Sequence, residues 1–559
     1  MILEFEFEYT SSSLVYEKIL LRALRESALE GKIVKRQEKL FFYVASENPE
    51  VLELFATKLS KALPHSIFLR TTEAKVVDVM PLEKYDLPQM PKLALPFCPQ
   101  CLQEVMDESN ANYYNIFHEC EVCGYGIAGE HKSYQDIFVK TAASIKEGAV
   151  FELDTFYGKY YVGRLSEKCK NVVYDIVSFD LSTIEKYTNA TTSELVTLGA
   201  IEKPLIRLKT NLEFKKDFED IEAELLRFKL SDDFILHLLM AELHKKGINL
   251  IFISKDVMPS DEKLSLVQAK ELEPIECVVS DENIAILRGE KGLPLEKFFK
   301  DGTSDTSLIP HVGAFFSVVK EHALQEKTVV GVNLSKEYHN DILLYSKKYG
   351  TIEYLSFAFH FASMKDVFDA IRATNETGAK LIENYKNKYS AHFEKIAAIC
   401  FDEKELNVYK LWGIVSLILG FSKSGNLSDA AQALENNATL FLGDQGPRID
   451  YKLKKIDSKV FLDPLMTIRT AMSFRLAEVD ALSLSYGVVE SFAEFISAQL
   501  DDIKEEMKSD VVTMTGSLLG NRHLFSKLNS EITLNHTLYF NTELPVDGIN
   551  IQYGGNDLF

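Results

Sequence analysis

Apolar and polar residues alternate strictly over EFEFEY at residues 4–9, the period-2 signature of a strand with one buried face. A helix-period run follows from Leu14 to Leu29. Strands are predicted at KIVKR (32–36) and KLFFYV (39–44), a helix over Pro49 to Leu63, and a strand at SIFLR (66–70). Strand, helix, strand, strand, helix, strand is a ferredoxin-like order, so residues 1–80 form the first predicted module.

The proline-punctuated stretch PLEKYDLPQMPKLALP leads into a cysteine-bearing segment, giving a second module over 81–133. A helix from Tyr134 and the strand AVFELDT open a mixed α/β module over 134–276, and a larger α/β module spans 277–559. Helical periodicity runs through 411–434 and 464–507. VVTMTGS at 511–517 reads as a buried strand ending in a glycine turn, a shape that can approach a phosphate. The predicted class is therefore a multidomain α/β and α+β chain.

A composition of 46% hydrophobic and 26% charged residues is that of a globular chain. The net charge of -21 repels polyphosphate backbones, and no basic stripe is interleaved with aromatics, so no nucleic-acid partner is expected. The longest apolar run, Leu411 to Phe421, falls short of the ~20 residues of a membrane span, and a soluble cytoplasmic protein is expected.

Chemistry enters with FCPQC and CEVCG. Cys98, Cys101, Cys120 and Cys123 form two CxxC pairs at the spacing that closes a tetrahedral zinc–sulfur site. Four thiolates leave no open position for water, so this zinc is expected to be structural. Cys169, Cys277 and Cys400 stand alone and read as reduced thiols.

Several segments resemble the HypF carbamoyltransferases of nickel-iron hydrogenase maturation. ANYYNIFHECEVCGYG (111–126) is similar to that family's approach to its second cysteine pair, and FVKTAASIKEGAVFELDTFYGKYYVG from Phe138 to the opening of its YrdC-like module. KLWGIVSLILG from Lys410, SDAAQALE from Ser428, MTGSLLGNRHLF from Met514 and LPVDGINIQYGG from Leu544 are similar to segments of its Kae1-like, actin-like ATPase module. The resemblance implies an acylphosphatase-like module at 1–80, a four-cysteine zinc ribbon, a YrdC-like module and a Kae1-like module. The chain is shorter than the family, with one ribbon where two are usual, and so resembles a reduced, hydrogenase-assembly paralogue.

The family's relay runs from carbamoyl phosphate through an ATP-derived acyl-adenylate to a partner's cysteine, and each step implies residues to look for. At 1–80, Glu17 falls where the phosphate-gripping arginine would be, and a carboxylate there would repel phosphate, so this module is read as scaffold. In the YrdC-like module Lys159 remains, Asp154 replaces a lysine, and Asp256 follows Ser254 where an asparagine is usual; Pro204, Arg207 and Lys209 accompany Lys203. In the Kae1-like module Thr515, Gly516, Ser517 and Asn521 keep the glycine turn, and GDQGPR (443–448) offers another turn. Gly413 and Leu427 replace two carboxylates expected near nucleotide, and Ser356 breaks an i,i+4 histidine pair with His360.

Lys203, Ser254, Thr515, Gly516 and Asn521 are thus the candidates for nucleotide, Asp547 and Ser254 for catalysis, and His360 and Asp547 for a second metal. Structural zinc is the expected cofactor, with ATP or an acyl-adenylate as a further ligand. The expected role is a cytoplasmic assembly factor for nickel-iron hydrogenase with reduced or lost catalysis, contacting maturation proteins or the large-subunit precursor. An active ATP-dependent carbamoyltransferase and a nucleotide-sensing binding protein are the alternatives.

Overall fold

The computed structural model describes residues 1–37, 39–83, 85–88, 95–281, 283–299, 309–422 and 424–555. Two compact units emerge: Met1–Val279 with Arg288–Lys300, and Ser280–Leu287 with Asp301–Phe559.

The first unit opens with β1 (Ile2–Tyr9), α1 (Val15–Ser27), β2 (Glu30–Arg36), β3 (Lys39–Ala45), α2 (Pro49–Ala62) and β4 (Leu69–Val77). The antiparallel sheet has the order β2-β3-β1-β4, the ferredoxin-like layout expected from the pattern. Alternation places Phe5, Phe7 and Tyr9 in the core, where Phe5 stacks on Phe42 and Tyr9 lies against Tyr16. The last strand begins at Leu69 rather than Ser66. Ser66 Oγ and Ile67 N–H donate instead to the buried Glu202 carboxylate, at 2.6 and 3.1 Å, so these residues leave the ladder.

After α3 (Pro99–Met106) and α4 (Gln135–Lys146) come β5 (Phe151–Asp154), β6 (Lys159–Arg164), β7 (Asp175–Ser178), α5 (Leu181–Tyr187), α6 (Thr192–Gly199), β8 (Leu205–Lys209), α7 (Leu212–Asp217), β9 (Leu225–Leu230), α8 (Phe234–His244), β10 (Leu250–Ser254), β11 (Glu262–Ser265) and β12 (Glu276–Ser280). Their mixed sheet runs β11-β5-β6-β10-β7-β9-β8-β12. Helix α8 is buried from Phe234 through Leu243, as a helix apolar on all sides must be. Phe97 stacks on Phe234 at 4.7 Å and Tyr125 meets it edge-on at 4.6 Å. The cysteine segment and the α/β sheet therefore share one hydrophobic core.

Next in the chain are β13 (Asn283–Arg288) and α9 (Leu295–Phe298). The second unit contains α10 (Pro310–Glu321), β14 (Val329–Asn333), β15 (Asp341–Ser346), β16 (Gly350–Ser356), α11 (Met364–Thr374), α12 (Glu376–Lys388), α13 (Ser390–Ala397), α14 (Val408–Leu419), α15 (Leu427–Leu440), β17 (Lys452–Ile456), β18 (Lys459–Asp463), α16 (Pro464–Leu476), α17 (Ala481–Met507), β19 (Val511–Thr515), α18 (Arg522–Ile532), β20 (Thr537–Phe540) and α19 (Ile549–Gly555). Its sheet order is β17-β18-β16-β15-β14-β19-β20, with β14 to β16 an antiparallel meander and β19 and β20 added in parallel. β19 is buried at every position, as expected of a central parallel strand.

Both long helical stretches expected in this unit are interrupted. Gly420, with φ +76°, ends α14 and Asn426 caps α15, while Asp480 caps α17 after a break behind α16. The chain's single tryptophan, Trp412, is fully buried on α14, where its indole N–H donates to Tyr451 Oη at 3.1 Å.

Candidate metal and nucleotide sites

Cys98 is the N-cap of α3, Pro99 sits in its first turn, and Cys101 follows within the same turn. Cys120 and Cys123 flank a tight knuckle in which Gly124, at φ +73°, donates its N–H to Cys120 O, while Cys120 N–H donates to Tyr125 O. The four sulfurs all lie within 4.8 Å of one another, with separations of 3.5 Å for Cys98–Cys101, 3.6 Å for Cys101–Cys123 and 4.0 Å for Cys98–Cys120. A tetrahedron of Zn–S bonds of ~2.3 Å has edges of ~3.8 Å, so the arrangement fits zinc without rearrangement. Such a site would be closed, holding the ribbon together rather than activating water.

Glu17 lies in the first turn of α1, fully buried, with Oε1 accepting from Lys35 Nζ at 2.9 Å. A carboxylate of the chain itself thus occupies a helix N-terminus, where an anionic ligand would be favoured. Ser254 ends β10, and its hydroxyl donates to Val173 O at 2.6 Å and accepts from Asp256 N–H at 3.0 Å. Lys203 precedes β8 in a left-handed conformation and donates to Gly199 O at 3.2 Å; burial pushes its ammonium down to about 8 against the upward pull of Glu202 and Asp232. β10 and β8 are separated by β7 and β9, three strand spacings or ~14 Å, so Ser254 and Lys203 are not neighbours in the sheet. Asp154 accepts from the Ser265 hydroxyl, and Lys159 is exposed.

Pattern reading missed a buried ion triad in the same unit. Lys229 and Lys291 both donate to Asp232 Oδ2, at 2.8 and 2.6 Å, while neighbouring Asp233 accepts from Leu236 and Phe156 N–H.

In the second unit the glycine turn follows β19. Gly516 has φ +109°, and a Cβ there would lie 2.3 Å from Leu334 O, so only glycine fits. Asp547 Oδ2 accepts from Ser517 N–H at 3.0 Å and from Ser335 Oγ at 2.8 Å, which places a carboxylate against the turn. Thr515 Oγ1 donates to Val546 O. Asn521 caps α18, and its amide lies 3.5 Å from Glu435 Oε1; Glu435 Oε2 accepts from Lys336 Nζ at 2.6 Å. Thr515, Gly516, Asn521 and Asp547 are thus brought together, joined by Ser335, Lys336 and Glu435, which no local motif marks.

Other expectations are redirected. His360 is exposed, with Nδ1 2.6 Å from Lys404 O; among the described residues neither it nor Asp547 belongs to a group of three or more metal-ligating side chains. Gly446 of GDQGPR donates its N–H to Glu490 and packs against the backbone of Gly487, leaving that turn engaged with α17 rather than open to an anion. Gly413 and Leu427, the positions of two expected carboxylates, meet each other: a Cβ at Gly413 would lie 2.3 Å from Leu427 O. The absent side chain is what lets α14 and α15 pack closely.

A second group of ligand atoms is also present. His339, Asp341 and Glu353 bring their side chains together beside His311. Burial pushes the Asp341 carboxyl up to about 7 and the His311 imidazole down to about 4. Burial would lower His339 too, but its contacts with Glu405 and Glu353 raise it. These residues are scattered from 311 to 405, beyond the reach of a spacing motif.

Across 99% of this chain and 97% of the other, the structure superposes on full-length HypF in its phosphate- and nucleotide-bound form with a TM-score of 0.66 and 14% identity. The chain has the HypF fold. T. kodakarensis HypF matches over the same shares with a TM-score of 0.61 and 12% identity. In sequence the chain is 24% identical to Protein HydE of Wolinella succinogenes, over 98% of this chain and 100% of that protein. No protein-family model matches. A HypF-like paralogue is therefore supported, and the ferredoxin-like, ribbon, YrdC-like and Kae1-like layout belongs to that fold. No described helix is long and apolar enough to cross a membrane.

Proposed function

We propose that this protein is a maturation factor for nickel-iron hydrogenase, related to the HypF carbamoyltransferases, that acts through contacts with maturation proteins or a large-subunit precursor and not by the full carbamoyl relay. The observation that carries this reading is the Gly413–Leu427 contact: where the resemblance implies nucleotide carboxylates, two helices are packed backbone against backbone. Glu17 supports it, because a buried carboxylate already paired with Lys35 stands where the resemblance implies a phosphate-binding arginine. The four-cysteine ribbon holds zinc as a structural ion, and the cytoplasm, where hydrogenase precursors are matured, is the compartment.

The test is co-elution of the zinc-loaded protein with purified maturation proteins and large-subunit precursor, beside an assay of AMP and pyrophosphate release from ATP with carbamoyl phosphate. Complex formation without release is the expected result; failure to bind every candidate overturns the contact role. A working carbamoyltransferase is the second reading, favoured by Asp547 standing against the retained Gly516 turn, the kind of turn that can approach a phosphate. AMP release dependent on carbamoyl phosphate would establish it. Saturable ATP binding without turnover would instead indicate a nucleotide-sensing factor using the Gly516 turn.

A further inference from the structure

Asp341 opens β15 and is fully buried. Its Oδ1 accepts from Asn333 Nδ2 at 2.5 Å, across the β14–β15 pair, but its Oδ2 has no hydrogen-bond donor. A buried carboxylate oxygen without a hydrogen-bond donor is costly to leave alone, so the position calls for a partner. Two imidazoles face it without hydrogen-bonding to it: His311 Nε2 from the first turn of α10 at 3.5 Å and His339 Nε2 at 4.0 Å. Glu353 Oε1, on β16, lies 2.7 Å from the same His339 nitrogen. The ligand atoms of His339, Asp341 and Glu353 all fall within 4.8 Å of one another, and the His311 ring centre is 4.9 Å from that of His339.

We infer that His339, Asp341 and Glu353, with His311 as the fourth donor, form a site for a divalent transition-metal ion separate from the cysteine ribbon. A cation between these groups would satisfy Asp341 Oδ2 and both Nε2 atoms at once, which a protonated His339 bridging Glu353 and Glu405 would not. Two imidazole nitrogens and two carboxylate oxygens suit zinc, cobalt or nickel, and the imidazoles disfavour magnesium and calcium. The surroundings are those of a built site. His339 Nδ1 lies 2.8 Å from Glu405 Oε1, the carboxylate–histidine arrangement that fixes the ring with Nε2 toward the metal, and Asn333 fixes Asp341 in the same way. With both imidazoles about one-fifth exposed and Glu353 more so, the ion would have a route in and room for an exogenous ligand.

The full-length protein, its ribbon already filled with zinc, is titrated with Co2+ alone. One further equivalent is expected, with the weak visible bands of nitrogen and oxygen ligation and no sulfur-to-cobalt charge transfer. Glu353→Gln, at a partly exposed position that leaves the fold intact, should weaken binding at least tenfold. His339→Gln should abolish it, and Glu405→Gln should cost about 10- to 100-fold, the usual penalty for a group orienting a ligand. Cys98→Ser should leave this equivalent unchanged. Absence of a second equivalent, thiolate bands on it, or unchanged affinity in Glu353→Gln would overturn the inference; Glu353→Gln decides the matter if His339→Gln does not fold.

Discussion

Replacing Gly516 by alanine is expected to cost the second unit ~2–6 kcal/mol. Two effects add. The backbone sits at φ +109° and ψ 153°, a region open in practice only to glycine, and forcing another residue there costs ~1–3 kcal/mol. The new Cβ would also lie 2.3 Å from Leu334 O, 2.4 Å from Leu334 C and 2.7 Å from Ser335 N, all backbone atoms, and relieving such overpacking costs a further ~1–3 kcal/mol. Gly350→Ala is the control: its φ is +72° but nothing lies within 4 Å of the added carbon, so only the left-handed penalty of ~1–2 kcal/mol applies. Because Trp412 is the only tryptophan and is buried in this unit, its fluorescence during urea unfolding reads this unit directly. With a urea slope of ~3 kcal/mol per M, the Gly516→Ala midpoint should fall by ~0.7 M or more, and the unfolding constant should rise at least ~30-fold. A midpoint within ~0.3 M of the parent, or no lower than that of Gly350→Ala, would refute the steric reasoning.

Chelating the ribbon metal, or making Cys98→Ser, should open the cysteine segment, since such sites contribute ~10–16 kcal/mol of binding energy to folding. Cys400 is exposed while Cys98, Cys101 and Cys123 are buried, so thiol labelling confined to Cys400 should spread to the ribbon cysteines after chelation; unchanged labelling would contradict this. His237, enclosed by Phe97 and Phe179, is held down to about 4 by burial, with Lys203 adding to the effect. It is neutral when folded and takes up a proton near its ordinary value when unfolded. Its contribution is therefore fully present above pH ~6.5 and is lost as pH falls toward 4, by ~3 kcal/mol. The parent should lose more stability than His237→Gln across that range in circular-dichroism unfolding, and parallel pH profiles would sink the assignment. The module carrying Glu17 should not hydrolyse acetyl phosphate above the uncatalysed rate; measurable turnover would mean that the carboxylate does not block an anion there.

Short-range regularity settled much of this protein. Alternation in EFEFEY and KLFFYV specifies strands because side chains two residues apart share a face, and the four-stranded sheet follows from the order of such runs. Two CxxC pairs bring four sulfurs to zinc-compatible distances because each pair is folded by its own local turn. The Gly516 turn was legible for the same reason, a buried strand meeting the one residue type that tolerates its backbone.

What only the tertiary structure decided lies where distant segments compete for the same groups. SIFLR has a strand's composition, yet Ser66 and Ile67 bond to Glu202, which is more than 130 residues away. Asp547, kept in the motif, is engaged by Ser335 and Ser517, and His360, kept beside aromatics, is exposed on a backbone carbonyl. His311, His339, Asp341, Glu353 and Glu405 come from a helix, strands and loops whose convergence depends on the β14-β15-β16 meander and the packing around it. A sequence encodes its local periods through neighbouring side chains. Which carboxylate meets which imidazole is set by strand order and burial, where an unpaired charge is too costly to leave alone.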